Sequence, residues 1–241
     1  MNYRKSKNLS GWDFSSLNVS EKGPRTNYMN IVRKYSGLNK TLLDIGTGGG
    51  EIVLKLAQNF KECMAFDKNL KKIQTAKKNL KNSGFDNVKF FVADSDKINI
   101  ENRSFDVIIC RHAPFNPEEV LRLLKSGEIF ITQQVSEGDK KNFKKLFGRG
   151  QCFDIPSGTL KKKYLKDLKS LGFRIIKQRT VNTTEYYKTM DDIIFLLSNS
   201  PIIPDFDLEK DENKLKELEK KFKTKDGIRT NSERFIIIAS K

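Results

Sequence analysis

The sequence predicts an α/β fold: a doubly wound sheet of seven strands, mostly parallel with one antiparallel, plus an N-terminal lid and an insertion between strands six and seven. Three observations predict it. Short apolar runs alternate with helix-like stretches from about residue 41 to 135, as repeated β–α units require. A glycine-rich turn, Gly46-Thr47-Gly48-Gly49-Gly50, joins the first apolar run to the first helical one. An acid, Asp67, closes the next apolar run 23 residues after Asp44, close to the ~20 residues of one βαβ unit.

Each element follows in order. Thr41-Leu42-Leu43 leads into Asp44 as strand one, and 52–56 leaves the glycine turn as an apolar, helix-permissive run. Glycine is needed where the turn is tight and ligand atoms lie against bare backbone. A dinucleotide fingerprint would place its third glycine where this chain has Glu51; what stands is Asp-x-Gly-x-Gly-x-Gly. Residues 63–67 form strand two. The spacing predicts a helix over 69–82, with Leu70, Ile73, Ala76, Lys77 and Leu80 on one stripe and Ser83-Gly84 ending it. Residues 88–92 read as strand three, followed by Ala93-Asp94-Ser95, and 104–110 as strand four. A helix over 120–124, a turn and a strand ending at Ile131 follow. Strand six spans 172–178 and continues toward Val181; strand seven spans 234–239. Each acid also has a plain reading. Asp67 could end a strand in a polar loop, Asp94 could form a turn with Ser95 and Asp96, and the glycines could make a turn with no ligand.

The Asp44–Gly50 pattern, followed by Asp67, Asp94 and the Ser104-Phe105-Asp106 entry to strand four, resembles the class I S-adenosylmethionine-dependent methyltransferases, whose fold is Rossmann-like. Gly11-Trp12-Asp13-Phe14, 44–51, Arg111-His112 and 131–135 further resemble a group of bacterial methyltransferase-domain proteins. The resemblance implies S-adenosylmethionine as cofactor and S-adenosylhomocysteine as product. It implies that Asp44, Gly46, Thr47, Gly48 and Gly50 meet the amino-acid end of the cofactor, that Asp67 with Lys68 meets the ribose, that Asp94 with Ser95 meets the adenine, and that Cys110 lines the same site. Substrate-facing residues are expected just past strand four, where Arg111 and His112 stand. The Asn-Pro-Pro-Tyr or Asp-Pro-Pro-Tyr box of exocyclic-amine methyltransferases is absent there. His112, the only histidine, is a candidate general base; alternatively it hydrogen-bonds backbone or packs over the cofactor. The N-terminal zinc-binding cysteine cluster of ribosomal guanine methyltransferases has no counterpart in the first 60 residues.

Composition bounds the rest. The 241 residues allow one large domain or a core with a small appendage: a lid over 1–40 and a methyltransferase domain over 41–241, with 182–232 as a substrate-side insertion. That insertion sets substrate choice or dimerises, and the sequence does not choose. No apolar run approaches the roughly 20 residues that span a bilayer. The three dispersed cysteines, Cys63, Cys110 and Cys152, suggest free thiols rather than a disulfide frame or metal site, and hence a cytoplasmic protein. Net charge is +16. Residues 139–169 hold ten Lys or Arg against three Asp, with Phe143, Phe147, Phe153 and Tyr164 interleaved. This could be an RNA-binding face, or solvated lysines over an amphipathic helix. The expected acceptor is a small molecule with an oxygen or nitrogen nucleophile. RNA methylation over the basic face, or cofactor binding without turnover in a regulator, are the alternatives.

Overall fold

The computed structural model describes residues 14–241; Gly11, Trp12 and Asp13 lie outside them. Nine strands form one sheet: β1 (Val19–Lys22), β2 (Gly37–Ile45), β3 (Phe60–Asp67), β4 (Val88–Val92), β5 (Phe105–Arg111), β6 (Leu124–Val135), β7 (Arg174–Tyr187), β8 (Lys223–Thr224) and β9 (Gly227–Ser240). The order is β1-β7-β9-β6-β5-β2-β3-β4, with β8 paired to β9 alone. Strands β2 to β6 are parallel to their neighbours among themselves, and β9 runs antiparallel between β6 and β7. The chain winds from β2 outward to β4, then crosses back to β5 on the other side of β2. This reversal puts a topological switch point at the carboxyl ends of β2 and β5, where open α/β sheets place ligands.

The helices are α1 (Tyr28–Arg33), α2 (Glu51–Leu56), α3 (Leu70–Ser83), α4 (Pro117–Leu123), α5 (Lys141–Phe147), α6 (Thr159–Ser170), α7 (Met190–Asn199) and α8 (Glu212–Phe222). The stripe predicted over 69–82 becomes α3, capped at its start by the Asn69 side chain and ended by Gly84 in the left-handed conformation. One apolar cluster packs α1, α2 and α3 on one sheet face, through Val32, Val53, Leu56, Ile73 and Ala76. A second, with Phe130, Tyr164, Leu168 and Phe235, packs α4 and α6 on the other. Among the described residues no helix is long and apolar enough to cross a membrane.

Two expectations change. Among the described residues the sheet has nine strands, not seven: β1 pairs antiparallel on the open edge of β7, Val19 against Tyr187 through Lys22 against Thr184, and the two-residue β8 pairs back on β9. Part of the segment expected as a lid is therefore an edge strand. The insertion is also shorter than 182–232. Strands β7 and β9 stay paired out to Tyr187 and Ile228, and β8 pairs back on β9, so 188–222 is the part that leaves the sheet. Beyond Val135, where β6 ends against Arg234, this hairpin projects about 20 Å past the carboxyl edge. A third cluster fastens the insertion to the projection: Phe143 and Phe147 from α5, Ile193 and Leu197 from α7, Leu215 and Leu218 from α8, and Ile228.

That cluster also bears on the two readings of the basic stretch. Phe143, Phe147 and Tyr164 are core residues, not stacking surfaces. Lys140 and Lys144 are buried, the first on Glu185 at 2.6 Å and the second on the carbonyl of Glu137 at 2.6 Å. Arg149 is paired with Asp205 and Asp211. What remains outside is chiefly lysines on α6.

Candidate functional site

The turn after β2 is built by backbone geometry that side chains resist. Gly46, Gly48 and Gly50 have φ of +72°, +62° and +81°. A Cβ on Gly46 would lie 2.3 Å from the Cβ of Ala113, and one on Gly50 would lie 2.7 Å from the Phe90 ring. The turn is seated on β3: the Thr47 amide donates to the Phe66 carbonyl at 2.9 Å, and the Gly48 amide to Oδ2 of Asp67 at 3.2 Å. Asn79 of α3 donates to the Gly49 carbonyl at 2.9 Å.

Asp67 ends β3, buried. Its Oδ1 accepts from the Asn69 amide at 3.0 Å, and Lys72 stands 3.6 Å from Oδ2. Lys68 beside it is exposed. Asp94 lies past β4, exposed; its Oδ1 accepts from the Asp96 amide at 3.2 Å, and Ser95 is half-buried.

Asp44 sits inside the switch point, paired in register with Ala65 and Ile109, and is 3% exposed. Burial raises its pKa to about 7; the nearby Thr47 hydroxyl pulls it down without completing a hydrogen bond, Glu51 raises it, Arg111 lowers it and Asp67 raises it. Its Oδ2, the Thr47 hydroxyl and the Tyr28 hydroxyl are buried polar atoms with no hydrogen-bond partner among the described residues. Such atoms are rare and costly, and three around one turn call for a polar partner. Tyr28 is held neutral: burial pushes its pKa well up, and the Asp44 charge adds to this.

The turn past β5 completes the mouth. Gln134 donates to the Ala113 carbonyl and the Thr132 hydroxyl, both at 2.8 Å, and the His112 amide donates to the Gln133 carbonyl at 2.9 Å. These bonds hold His112 at φ 55°, a left-handed conformation that costs a non-glycine residue roughly 1–2 kcal/mol. His112 is exposed just past β5. Enough protein surrounds it to push its pKa well below the usual imidazole value, with the Arg111 and Arg234 charges pushing the same way. Arg111 donates through Nε to Gln133 at 3.0 Å and lies 5.8 Å from the Tyr28 ring centroid. Cys110 is fully buried, its thiol donating to the Ala113 carbonyl at 3.1 Å; it supports the turn from below rather than facing the cleft.

The fold therefore brings Asp44, the glycines, Thr47, Asp67, Arg111 and His112 to one carboxyl edge. Tyr28, Gln133 and Arg234 join them, and sequence reasoning did not single them out. Arg234, as a charge at the start of an apolar strand, carried a weak signal; Tyr28 carried none.

Comparison with known proteins bears on this geometry. A family model described as a methyltransferase domain matches residues 37–194. The uncharacterized methyltransferase YcgJ of Bacillus subtilis is 29% identical over 97 residues, covering 37% of this chain and 38% of that protein. The ubiquinone/menaquinone biosynthesis C-methyltransferase UbiE of Rickettsia prowazekii is 30% identical over 134 residues, covering 48% and 54%. The chain thus spans between about two-fifths and half the length of these two relatives. The crystal structure of YcgJ superposes with a TM-score of 0.62 at 17% identity, covering 88% of this chain and 97% of that one. A Bacillus halodurans protein superposes at 0.66 with 18% identity, covering 89% and 99%.

Proposed function

Since the chain belongs to the methyltransferase-domain family, we propose that its glycine turn seats S-adenosylmethionine and that it transfers the methyl group to a small-molecule acceptor, releasing S-adenosylhomocysteine. The observation that carries this reading is the trio of orphaned polar atoms on Tyr28, Asp44 and Thr47 around the glycine turn. They fit a zwitterionic amino-acid end: a carboxylate for its ammonium, two hydroxyls for its carboxylate. Gly46 and Gly48, at φ +72° and +62°, give the turn a backbone that side-chain residues resist. Asp67, at the end of the neighbouring strand, suits a ribose diol, and Asp94 with Ser95 borders the place of the adenine.

When bound, the cofactor supplies an electrophilic methyl on a sulfonium. The protein's part is alignment and exclusion of water, and orientation alone can supply roughly 7–11 kcal/mol. His112, kept neutral, takes the proton from an acceptor whose nucleophile carries one. Oxygen and nitrogen are the acceptor atoms this base suits. The UbiE relative is a C-methyltransferase, so an activated carbon stands beside them.

The test is to incubate methyl-labelled cofactor with protein and cell extract, then separate small molecules, RNA and protein. Label in protein-free small molecules supports the proposal. Label in RNA would replace it with the basic-face alternative, whose binding should weaken steeply with salt. Label kept wholly on unreacted cofactor would leave a binding protein without turnover.

A further inference from the structure

The acceptor side of the site is the edge where β5 and β6 end and β9 passes at Arg234. Register sets three polar side chains on one sheet face there. Arg111 pairs with Gln133, Gln133 pairs with Ile236, and Arg234 stands two residues before Ile236, so Arg111, Gln133 and Arg234 leave the sheet on the same side. The two arginines are two strand spacings apart and two residues offset along the strands, about 12 Å between their backbone positions. Gln133 holds only the Nε of Arg111, and its terminal nitrogens have no partner among the described residues. On Arg234, Asp139 and the Glu233 carbonyl both take Nη1, leaving Nε and Nη2 without one. The Tyr28 hydroxyl, buried and unpartnered, belongs to the same face. The nearby negative charges do not fill this gap: Asp44 lies toward the glycine turn, and Asp139 Oδ1 is taken by Arg234 and the Glu233 amide. Two partly buried guanidinium groups with free donors and like charge match a planar or tetrahedral anion.

We propose that Arg111 and Arg234 form an anion-reading pair and that the methyl acceptor carries a carboxylate or phosphate bound there. The proposal rests on the donor-site reading above. The same chemistry could come from the cofactor's own carboxylate, which would engage Arg111 and Tyr28; Arg234, farther along the acceptor edge, distinguishes the two.

The experiment is calorimetric titration of the S-adenosylhomocysteine-loaded protein with phenyl phosphate, benzoate and neutral benzamide. Both anions should bind and benzamide should not. Arg234→Gln should weaken the anions at least about tenfold while changing S-adenosylhomocysteine affinity less than about twofold. Lys162→Gln, on the exposed face of α6, should change neither. Should Arg234→Gln not fold, Arg234→Lys keeps the charge beside Asp139 but loses the fork, and should weaken the anions about threefold or more. The proposal is overturned if benzamide binds as well as benzoate, if Lys162→Gln weakens the anions as much as Arg234→Gln does, or if neither Arg234 variant matters. It is also overturned if Arg234→Gln weakens S-adenosylhomocysteine to the same degree, which would assign the anion to the cofactor. Failure of the wild-type protein to bind S-adenosylhomocysteine would strike the donor-site reading instead, and the same titrations on the unloaded protein would still decide the arginine pair.

Discussion

The Gly48 amide donates to Oδ2 of Asp67 across 3.2 Å, so the glycine turn and the acid 19 residues later hold one another before any ligand arrives. A hydrogen bond to a charged acceptor contributes roughly 1.5–3 kcal/mol. Asp67→Ala should therefore speed hydrogen exchange at the Gly48 amide by about tenfold or more in the ligand-free protein. Unchanged exchange there would mean that the turn holds its shape without the acid.

Gly46 and Gly84 share a left-handed backbone, φ +72° and +74°, but a Cβ on Gly84 meets nothing within 4 Å whereas one on Gly46 strikes Ala113. Gly84→Ala should cost only the conformational penalty of about 1–2 kcal/mol. Gly46→Ala should cost that plus about 1–3 kcal/mol of overpacking, and should abolish cofactor binding. Equal melting temperatures for the two variants would refute the close approach.

Burial disfavours the charge of Asp44 and pushes its carboxyl up to about 7, far above the ordinary value. The sign follows. Between about pH 4 and 7 the folded state holds a proton that the unfolded state has lost, so this group lowers stability as pH rises through that window. A bound ammonium reverses the preference and expels the proton. S-adenosylhomocysteine should bind about fivefold more tightly at pH 7 than at pH 6, with little further gain above pH 8. Asp44→Asn should bind weakly and flatten the profile; a wild-type profile without slope would contradict the assignment.

His112 occupies a conformation that glycine adopts freely. His112→Gly should leave the melting temperature unchanged or raise it, leave S-adenosylhomocysteine affinity near wild type, and depress turnover by about 10²-fold or more. Because burial and the two arginines keep the ring neutral, the acidic limb of kcat/KM should lie below pH 6.5. Near-normal turnover would make the residue structural.

The geometry around the glycine turn was legible because local spacing fixes it. The run from Asp44 to Gly50, and Asp67 at the end of the next strand, lie within a single βαβ unit, where turn chemistry and strand length leave few choices. The acceptor side depends on register between strands far apart in the chain. Arg111 and Arg234 share a face only because β6 lies between them with Gln133 in step with Arg111, and nothing in either local sequence announces it. Tyr28 needed the docking of α1 on the sheet. The aromatic residues of the basic stretch left two readings open for a related reason: Phe143 and Phe147 share one helix face, and whether that face meets solvent or core was decided by the insertion packed against it.

The central claim is that S-adenosylmethionine occupies the glycine turn between Asp44 and Asp67. Isothermal titration with S-adenosylhomocysteine tests it most directly. One-to-one binding is expected, weakened about tenfold or more by Asp67→Ala; no heat with either the product or the methyl donor, from a protein that melts cooperatively, would contradict it.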